Sequence, residues 1–159
     1  MLQILFFQME TVRPTTVSEF CAFYNIPFVT LGMKCCFCNN WMNCVELASF
    51  EFKNLSLLWR GNVCYACCCQ CLRLSAKCEF ERYYRCSVKA RLIEDIVQMP
   101  LSEIVIRCLH CFSSLDYVEK VEHKYRDDWI HLVRQYWRGE CRHCCKKWEA
   151  TLLLFQTLY

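Results

Sequence analysis

Apolar positions recur along this chain at helical spacing in some stretches and at alternating spacing in others, and each pattern predicts an element. Thr16-Val17-Ser18-Glu19 has the S/T-x-x-E form of a capping box, and Phe20, Cys21 and Tyr24 follow at helical spacing from Val17. A short N-terminal helix is predicted there, with Pro27 as its stop. Phe50 and Phe52, then Leu55, Leu57 and Trp59, alternate with other residues and predict a strand pair with one covered face. Leu72, Ala76, Phe80 and Tyr84 recur at every fourth position and predict a helix. Leu92, Ile93, Ile96 and Val97 predict another, ended by Met99-Pro100. The β-rich run from Glu103 to Arg107 and the stretch from Trp129 to Val133 predict strands.

Composition narrows the class. The chain has 159 residues, 55% hydrophobic and 22% charged, which is enough apolar material for an ordered core in one domain or two small ones. No apolar run approaches the roughly 18 residues of a membrane-spanning helix, so no membrane association is expected. The opening MLQILFFQ lacks a basic start and a small-residue cleavage site, so it does not read as a signal peptide. A net charge of +3 and an isoelectric point of about 8.1 are too mild to imply nucleic acid by themselves.

Cysteine changes the picture most. Seventeen cysteines exceed a tenth of the chain, a level that signals disulfides or metal, but the count is odd and many lie side by side. In a reducing compartment, C-x-x-C pairs favour zinc over disulfide. Five such pairs occur: Cys35/Cys38, Cys64/Cys67, Cys68/Cys71, Cys108/Cys111 and Cys141/Cys144. Residues 112–140 separate the last two pairs, an interval of 29, and residues 39–67 separate Cys38 from Cys68, again 29. Starting from Cys64 leaves only 25, residues 39–63.

Choosing Cys68/Cys71 makes one shift of 73 carry all four ligand positions of the first set onto the second: 35 to 108, 38 to 111, 68 to 141 and 71 to 144. The same shift sets Val45-Glu46 on Val118-Glu119, Lys34 on Arg107, Phe52 on Tyr125, Leu31 on Ile104 and Leu57 on Ile130. The chain reads as a tandem repeat. Cys35, Cys38, Cys68 and Cys71 are predicted to hold one structural zinc ion, and Cys108, Cys111, Cys141 and Cys144 a second. Two C-x-x-C turns converge four soft thiolates tetrahedrally, and zinc supplies folding free energy that so small a unit lacks. Cys64, Cys67 and Cys69 are left as neighbours, and Cys21, Cys44, Cys78 and Cys86 read as free core cysteines.

The predicted fold class is α+β: two tandem four-cysteine zinc-binding modules, each with a small antiparallel sheet and short helices, joined by a helical linker. The divisions are an N-terminal arm with a short helix at 1–28, a first module at 29–75, a linker at 76–100, a second module at 101–147 and a tail at 148–159.

Two four-cysteine sites with 29 residues inside each, I-R-C-x-x-C from Ile106 to Cys111, and W-x-G-x-C-x-x-C from Trp137 to Cys144 give the chain a family likeness. It resembles the papillomavirus early protein six, a zinc-binding transforming protein, over about residues 17–145. In the first module, L-x-L-L-W-R-G followed by A-C-C-C-Q-C-L resembles the family's strand, turn and second knuckle.

The resemblance implies a non-enzymatic adaptor of the host nucleus and cytoplasm that clasps a short acidic L-x-x-L-L helix between both zinc modules and the linker. Implied partners are a HECT-type ubiquitin ligase, redirected against host tumour-suppressor and pro-apoptotic proteins, or a Notch coactivator of the mastermind type. The expected outcomes are transformation and proliferation, inhibited apoptosis and altered transcription and innate immunity, with weak self-association allowed. By position, Phe37, Leu55, Cys67, Leu72, Arg107 and Arg134 match the groove. Tyr136 stands where cancer-associated members carry an arginine, so the pattern resembles cutaneous branches, in which the coactivator is the commoner target. The chain ends in Gln-Thr-Leu-Tyr, and the bulky terminal Tyr159 argues against a PDZ-domain partner. The first eight residues are unusual for the family, Met9 reads as an alternative start, and the tail from Thr151 has no family counterpart.

Three rival readings carry different signatures. A zinc-dependent DNA-binding transcription regulator would use Arg134, Arg138, Arg142, Lys146 and Lys147, and weak, salt-sensitive DNA contact is compatible with the mild charge. A thiol-disulfide oxidoreductase needs one C-x-x-C in a βαβ setting rather than four in a repeat. Hydrolytic catalysis finds no triad or H-E-x-x-H around His110, His123, His131 and His143, so no catalytic residue is expected.

Overall fold

The computed structural model describes residues 13–145. Helix α1 (Val17–Tyr24) begins at the anticipated capping box: Thr16 accepts from the Glu19 backbone N–H, and the Glu19 carboxylate reaches back to the Thr16 N–H. Asn25 closes it in the left-handed region before Pro27. A 3-10 turn at Phe28–Thr30 then leads into β1 (Met33–Cys35), β2 (Trp41–Met42), α2 (Cys44–Phe52), β3 (Leu58–Arg60) and β4 (Val63–Ala66). Helix α3 (Cys69–Tyr83) leaves the second knuckle as its four-residue periodicity predicts.

After α3 come β5 (Tyr84–Lys89), a 3-10 turn at Ala90–Leu92, α4 (Ile93–Val97), β6 (Ile106–Cys108), α5 (Tyr117–Arg126), β7 (Trp129–Val133) and β8 (Tyr136–Gly139). Two four-stranded sheets result, ordered β2-β1-β4-β3 and β5-β7-β8-β6. Neither is antiparallel throughout, which departs from the small antiparallel sheet predicted for each module. β1 runs parallel to β4, and β6 parallel to β8, because the first knuckle of each module must lie beside the second for four thiols to meet.

The shift of 73 holds in three dimensions. It carries β1 onto β6 and β4 onto β8 residue for residue, and the pairing Lys34↔Tyr65 becomes Arg107↔Arg138. Left-handed residues repeat as well: Asn25 maps on Gln98, Asn39 on Phe112, Asn54 on Asp127 and Gly61 on Arg134. Leu31 and Ile104 are both buried, as are Leu57 and Ile130, and each pair anchors its own core cluster.

The repeat is longer than its cysteines. Residues 90–97 are the counterpart of α1, and Pro100 is the counterpart of Pro27. The segment 76–100, read as a helical linker, is therefore not one helix: the turn and α4 at 90–97 belong to the second repeat, and α3 ends at Tyr83. Its next stretch is β5, which pairs antiparallel with β7 and completes the second sheet, and Ala90 and Ile93 are buried in the second core. Helix α3 leads from the first repeat toward the second.

Phe50 and Phe52, expected on a strand, lie on α2. The deciding signal is local: Asn43 accepts from the Glu46 N–H and the Glu46 carboxylate returns to the Asn43 N–H, forming the same box that Asp116 and Glu119 form at α5. Leu47 and Phe50 then face the core, while Phe52 is left exposed. The strand foreseen over Leu55 to Trp59 begins at Leu58, and that over Glu103 to Arg107 is confined to Ile106 and the residues after it. Replacing Asn43 by alanine should lower stability by about 1 kcal/mol, read as a shift in the thermal midpoint of zinc-loaded protein. Among the described residues no helix is long and apolar enough to cross a membrane. The first eight residues, Met9 and the tail at 148–159 lie outside the described residues.

Candidate functional site

Each parallel pairing brings two knuckles together. The Sγ atoms of Cys35, Cys38, Cys68 and Cys71 lie within 4.8 Å of one another, and so do those of Cys108, Cys111, Cys141 and Cys144. Cys38 Sγ is 3.9 Å from Cys68 Sγ, and Cys111 Sγ is 3.8 Å from Cys141 Sγ. A tetrahedron with zinc–sulfur bonds of about 2.3 Å has edges of about 3.8 Å, so both thiol sets have the dimensions zinc requires. Four thiolates close the coordination sphere and leave no position for a substrate, which is the pattern of a structural ion.

Backbone donors tune the thiols. Cys35 Sγ accepts from the Cys68 N–H at 3.4 Å, Cys68 Sγ from the Cys71 N–H at 3.5 Å, and Cys108 Sγ from the Cys141 N–H at 3.5 Å. Burial opposes ionisation of Cys35, but the N–H groups of Cys68, Cys38 and Phe37 outweigh it and bring the thiol down to about 6. Donors of this kind also orient metal ligands.

The surplus thiols sit elsewhere. Cys64 lies on β4 opposite Trp59, with burial pushing its thiol up to about 11. Cys67 is enclosed in the first core, and burial raises it further, followed by the charges of Cys36 and Cys35. Cys69 is the first residue of α3, where its Sγ lies 3.4 Å from Ser49 Oγ and 3.7 Å from Lys53 Nζ.

The modules are joined by more than α3. Arg107 Nη1 donates to the carbonyls of Lys53 at 3.3 Å and Phe112 at 3.0 Å, and Nη2 donates to that of Asn54 at 2.9 Å. Lys53 caps the C-terminus of α2, so a guanidinium of the second module neutralises a helix end of the first. The Ser114 N–H donates to the same Lys53 carbonyl at 3.2 Å. Phe112, though in the second module, packs against the first core and adopts the left-handed backbone that Asn39 adopts in the other repeat. A cavity of about 380 Å3 lies between the modules, bounded by Phe52, Lys53 and Arg73 on one side and by Cys111, Cys141 and Cys144 on the other. Its two cations face a thiolate set that remains negative once zinc is bound.

The six residues matched to a groove fall in three places. Leu55, Cys67 and Leu72 gather at the first core, with Cys67 and Leu72 buried and Leu55 partly so. Phe37 projects from the first knuckle, 64% exposed. Arg107 forms the cross-module contacts just described, and Arg134 lies over the Tyr83 ring at 3.3 Å and pairs with Glu79 at 3.1 Å. Sequence reasoning passed over Glu79 and Phe112 and met Arg138 only as a candidate DNA contact, because nothing in local spacing ties the three together.

The histidines do not ligate in either thiol set. His123 is buried, with Nδ1 2.7 Å from Asp128 Oδ2 and Nε2 2.7 Å from the Glu140 carbonyl. His110 lies 3.1 Å from Glu140, and His143 stands edge-on to Phe52. Of the basic residues a DNA reader would use, Arg134 and Arg138 pair with Glu79, and Arg142 pairs with Asp116 and Glu119. Lys146 and Lys147 lie outside the described residues.

Comparison with known proteins matches the same stretch. Residues 35–144, from the first zinc ligand to the last, match the family Early Protein (E6). Protein E6 of Human papillomavirus 4 is 47% identical over 139 residues, covering 87% of this chain and 99% of that protein. Protein E6 of Human papillomavirus type 48 is 46% identical over 136 residues, covering 86% of this chain and 96% of the relative. Protein E6 of Human papillomavirus 65 is 45% identical over 139 residues, again 87% of this chain and 99% of the other. Two zinc-sized tetrathiol sets in a tandem α+β repeat, matched across their whole span at this level of identity, place the chain in the papillomavirus E6 early-protein family.

Proposed function

We propose that this protein is a viral adaptor that captures short acidic L-x-x-L-L helices of host proteins. The observation that supports the reading most is that α3 is shared: Leu72 near its start is buried in the first core, while Glu79 and Tyr83 near its end meet Arg134 and Arg138 of the second module. An amphipathic helix needs an apolar wall for its leucines and cations for its acidic flanks, and this surface carries the two at opposite ends of one element. Phe37 and Leu55 form the wall in this reading, and Cys67 and Leu72 are buried in the core that backs Leu55. Arg134 is the cation, and Arg107, its terminal nitrogens committed to carbonyls, holds the two halves in register.

The captured partner is a HECT-type ubiquitin ligase, redirected against host regulators, or a mastermind-type Notch coactivator that is blocked. Both routes promote proliferation, restrain apoptosis, and alter transcription and innate immunity, from the host nucleus and cytoplasm. Tyr136 in place of an arginine favours the coactivator. The tetrathiolate sites supply architecture rather than chemistry. Direct DNA contact, the alternative, has less support because Arg134, Arg138 and Arg142 are already paired with carboxylates.

Fluorescence anisotropy of a labelled acidic L-x-x-L-L peptide tests this. Saturable binding in the micromolar range, weakened by salt and abolished when the leucines become alanine, is the expected result. Absence of binding to zinc-loaded protein rejects the adaptor reading, and peptides of ligase and coactivator type distinguish the partner.

A further inference from the structure

Helix α3 carries one carboxylate that two arginines of the second module enclose. Glu79 Oε1 accepts from Arg134 Nε at 3.1 Å, and Oε2 accepts from Arg138 Nη2 at 3.0 Å. The Glu79 side chain is 19% exposed and that of Arg138 only 8%, whereas Arg134 remains 46% exposed. This is a desolvated pairing with one open side. Arg138 also lies 5.1 Å from the Phe112 ring and 5.4 Å from the Tyr136 ring, which help to hold it in place.

The charges in this cluster do not balance. Arg107 pairs in register with Arg138 across β6 and β8, and Arg134 and Arg138 bring two guanidinium groups to the single carboxylate of Glu79. Arg107 finds only backbone carbonyls, and Arg138 Nε is buried with no hydrogen-bond partner. A buried charged donor left unpaired is unfavourable, and a carboxylate is the acceptor that matches a guanidinium best. The cradle therefore has donors and positive charge beyond what Glu79 uses. Its exposed member, Arg134, sits on the side open to an incoming group.

We propose that the Arg134–Arg138 cradle is the receiving site for a carboxylate on the partner's helix, and that Glu79 is its built-in competitor. The inference rests on the acidic-helix reading above. Without a partner, Glu79 occupies the cradle and holds α3 against the second module. An incoming aspartate or glutamate takes over Arg134 and leaves Glu79 with Arg138 alone. Because Glu79 is tethered on α3, it competes at a high effective concentration. Singly acidic helices are disfavoured and helices with several acids are selected, which makes Glu79 a specificity-determining residue. The selection comes from a repulsive element as much as from an attractive one.

The test compares wild type, Glu79→Gln and Glu79→Asp, each zinc-loaded, for binding of a labelled L-x-x-L-L peptide flanked by glutamates and of the same peptide flanked by glutamines. Removing the competing charge should tighten binding of the glutamate peptide about tenfold in Glu79→Gln and steepen its salt dependence. Binding of the glutamine peptide should change little. Glu79→Asp, whose shorter side chain holds the cradle less well, should fall between, and it carries the test if Glu79→Gln loses zinc or unfolds. A purely structural Glu79 would weaken both peptides equally. Binding by wild type with no charge-selective gain in either variant overturns this inference and leaves the adaptor reading intact. No binding by any of the three proteins overturns both.

Discussion

Changing Cys68 to alanine should reduce the zinc content from two ions per chain to one, while changing Cys64 to alanine should leave it at two. The two residues lie four positions apart and both begin a C-x-x-C, so residue type does not separate them. Geometry does. Cys68 Sγ is 3.9 Å from Cys38 Sγ and accepts from the Cys71 N–H as the N-cap of α3, while Cys64 sits in the β3–β4 ladder with its thiol pushed up by burial. The effect should be large, because a structural zinc ion contributes on the order of 10 kcal/mol to the folding of a module this small. It is read by chelator titration of released zinc and by loss of far-UV signal from the first module. If Cys64→Ala releases the ion and Cys68→Ala retains it, the register of the first site is wrong.

The second large effect is expected at Arg107. Truncation to alanine strands the carbonyls of Asn54 and Phe112, leaves that of Lys53 with the Ser114 N–H alone, and removes the cation at the C-terminus of α2. The expected loss is about 3 kcal/mol, because a charged donor shared among several part-buried acceptors is worth more than a single neutral bond. Both zinc ions should stay bound, so the variant separates coupling of the modules from their integrity. The readouts are a lower thermal midpoint and faster proteolysis in the segment joining the modules at unchanged zinc content. Arg107→Lys should recover only part of the loss, since one ammonium cannot reproduce the two-pronged reach of a guanidinium. A thermal midpoint unchanged in Arg107→Ala would remove Arg107 from the coupling of the modules.

Arg107 also shows where sequence reasoning stops. The shift of 73 pairs it with Lys34, and the two occupy equivalent places on β6 and β1. Lys34 lies over Trp41 within its own module, whereas Arg107 crosses to the other. Equivalence in a repeat fixes backbone position, but the environment of the side chain depends on what the neighbouring copy presents. Phe112 illustrates the same point: in the position of Asn39 it carries a large ring through a left-handed turn, a conformation that bulky residues adopt rarely and only when the surroundings hold them there.

Short-range features were the most legible. The capping box at Thr16 and the helix after the second knuckle follow from spacing, because their stabilising contacts lie within a few residues, and the strand from Trp129 to Val133 follows from its run of β-favouring residues. Alternation misled at Phe50 and Phe52, where the Asn43 and Glu46 cap acts more locally and determines a helix. The linker was misread for the opposite reason. Nothing inside residues 84–89 marks them as a strand of the second sheet until β7 is beside them.

By itself the sequence determined which eight thiols converge on metal, and therefore the repeat and its class of fold. A C-x-x-C turn and a fixed interval are properties of the covalent chain, and zinc accepts only a narrow geometry. The tertiary structure alone decided how the modules face each other and which charges meet. Arg107 with Asn54, and Glu79 with Arg134 and Arg138, are contacts between residues 53, 55 and 59 positions apart. No local period encodes such contacts. They arise when two buried cores and one shared helix bring the side chains within reach, and the low dielectric between them makes each pairing count.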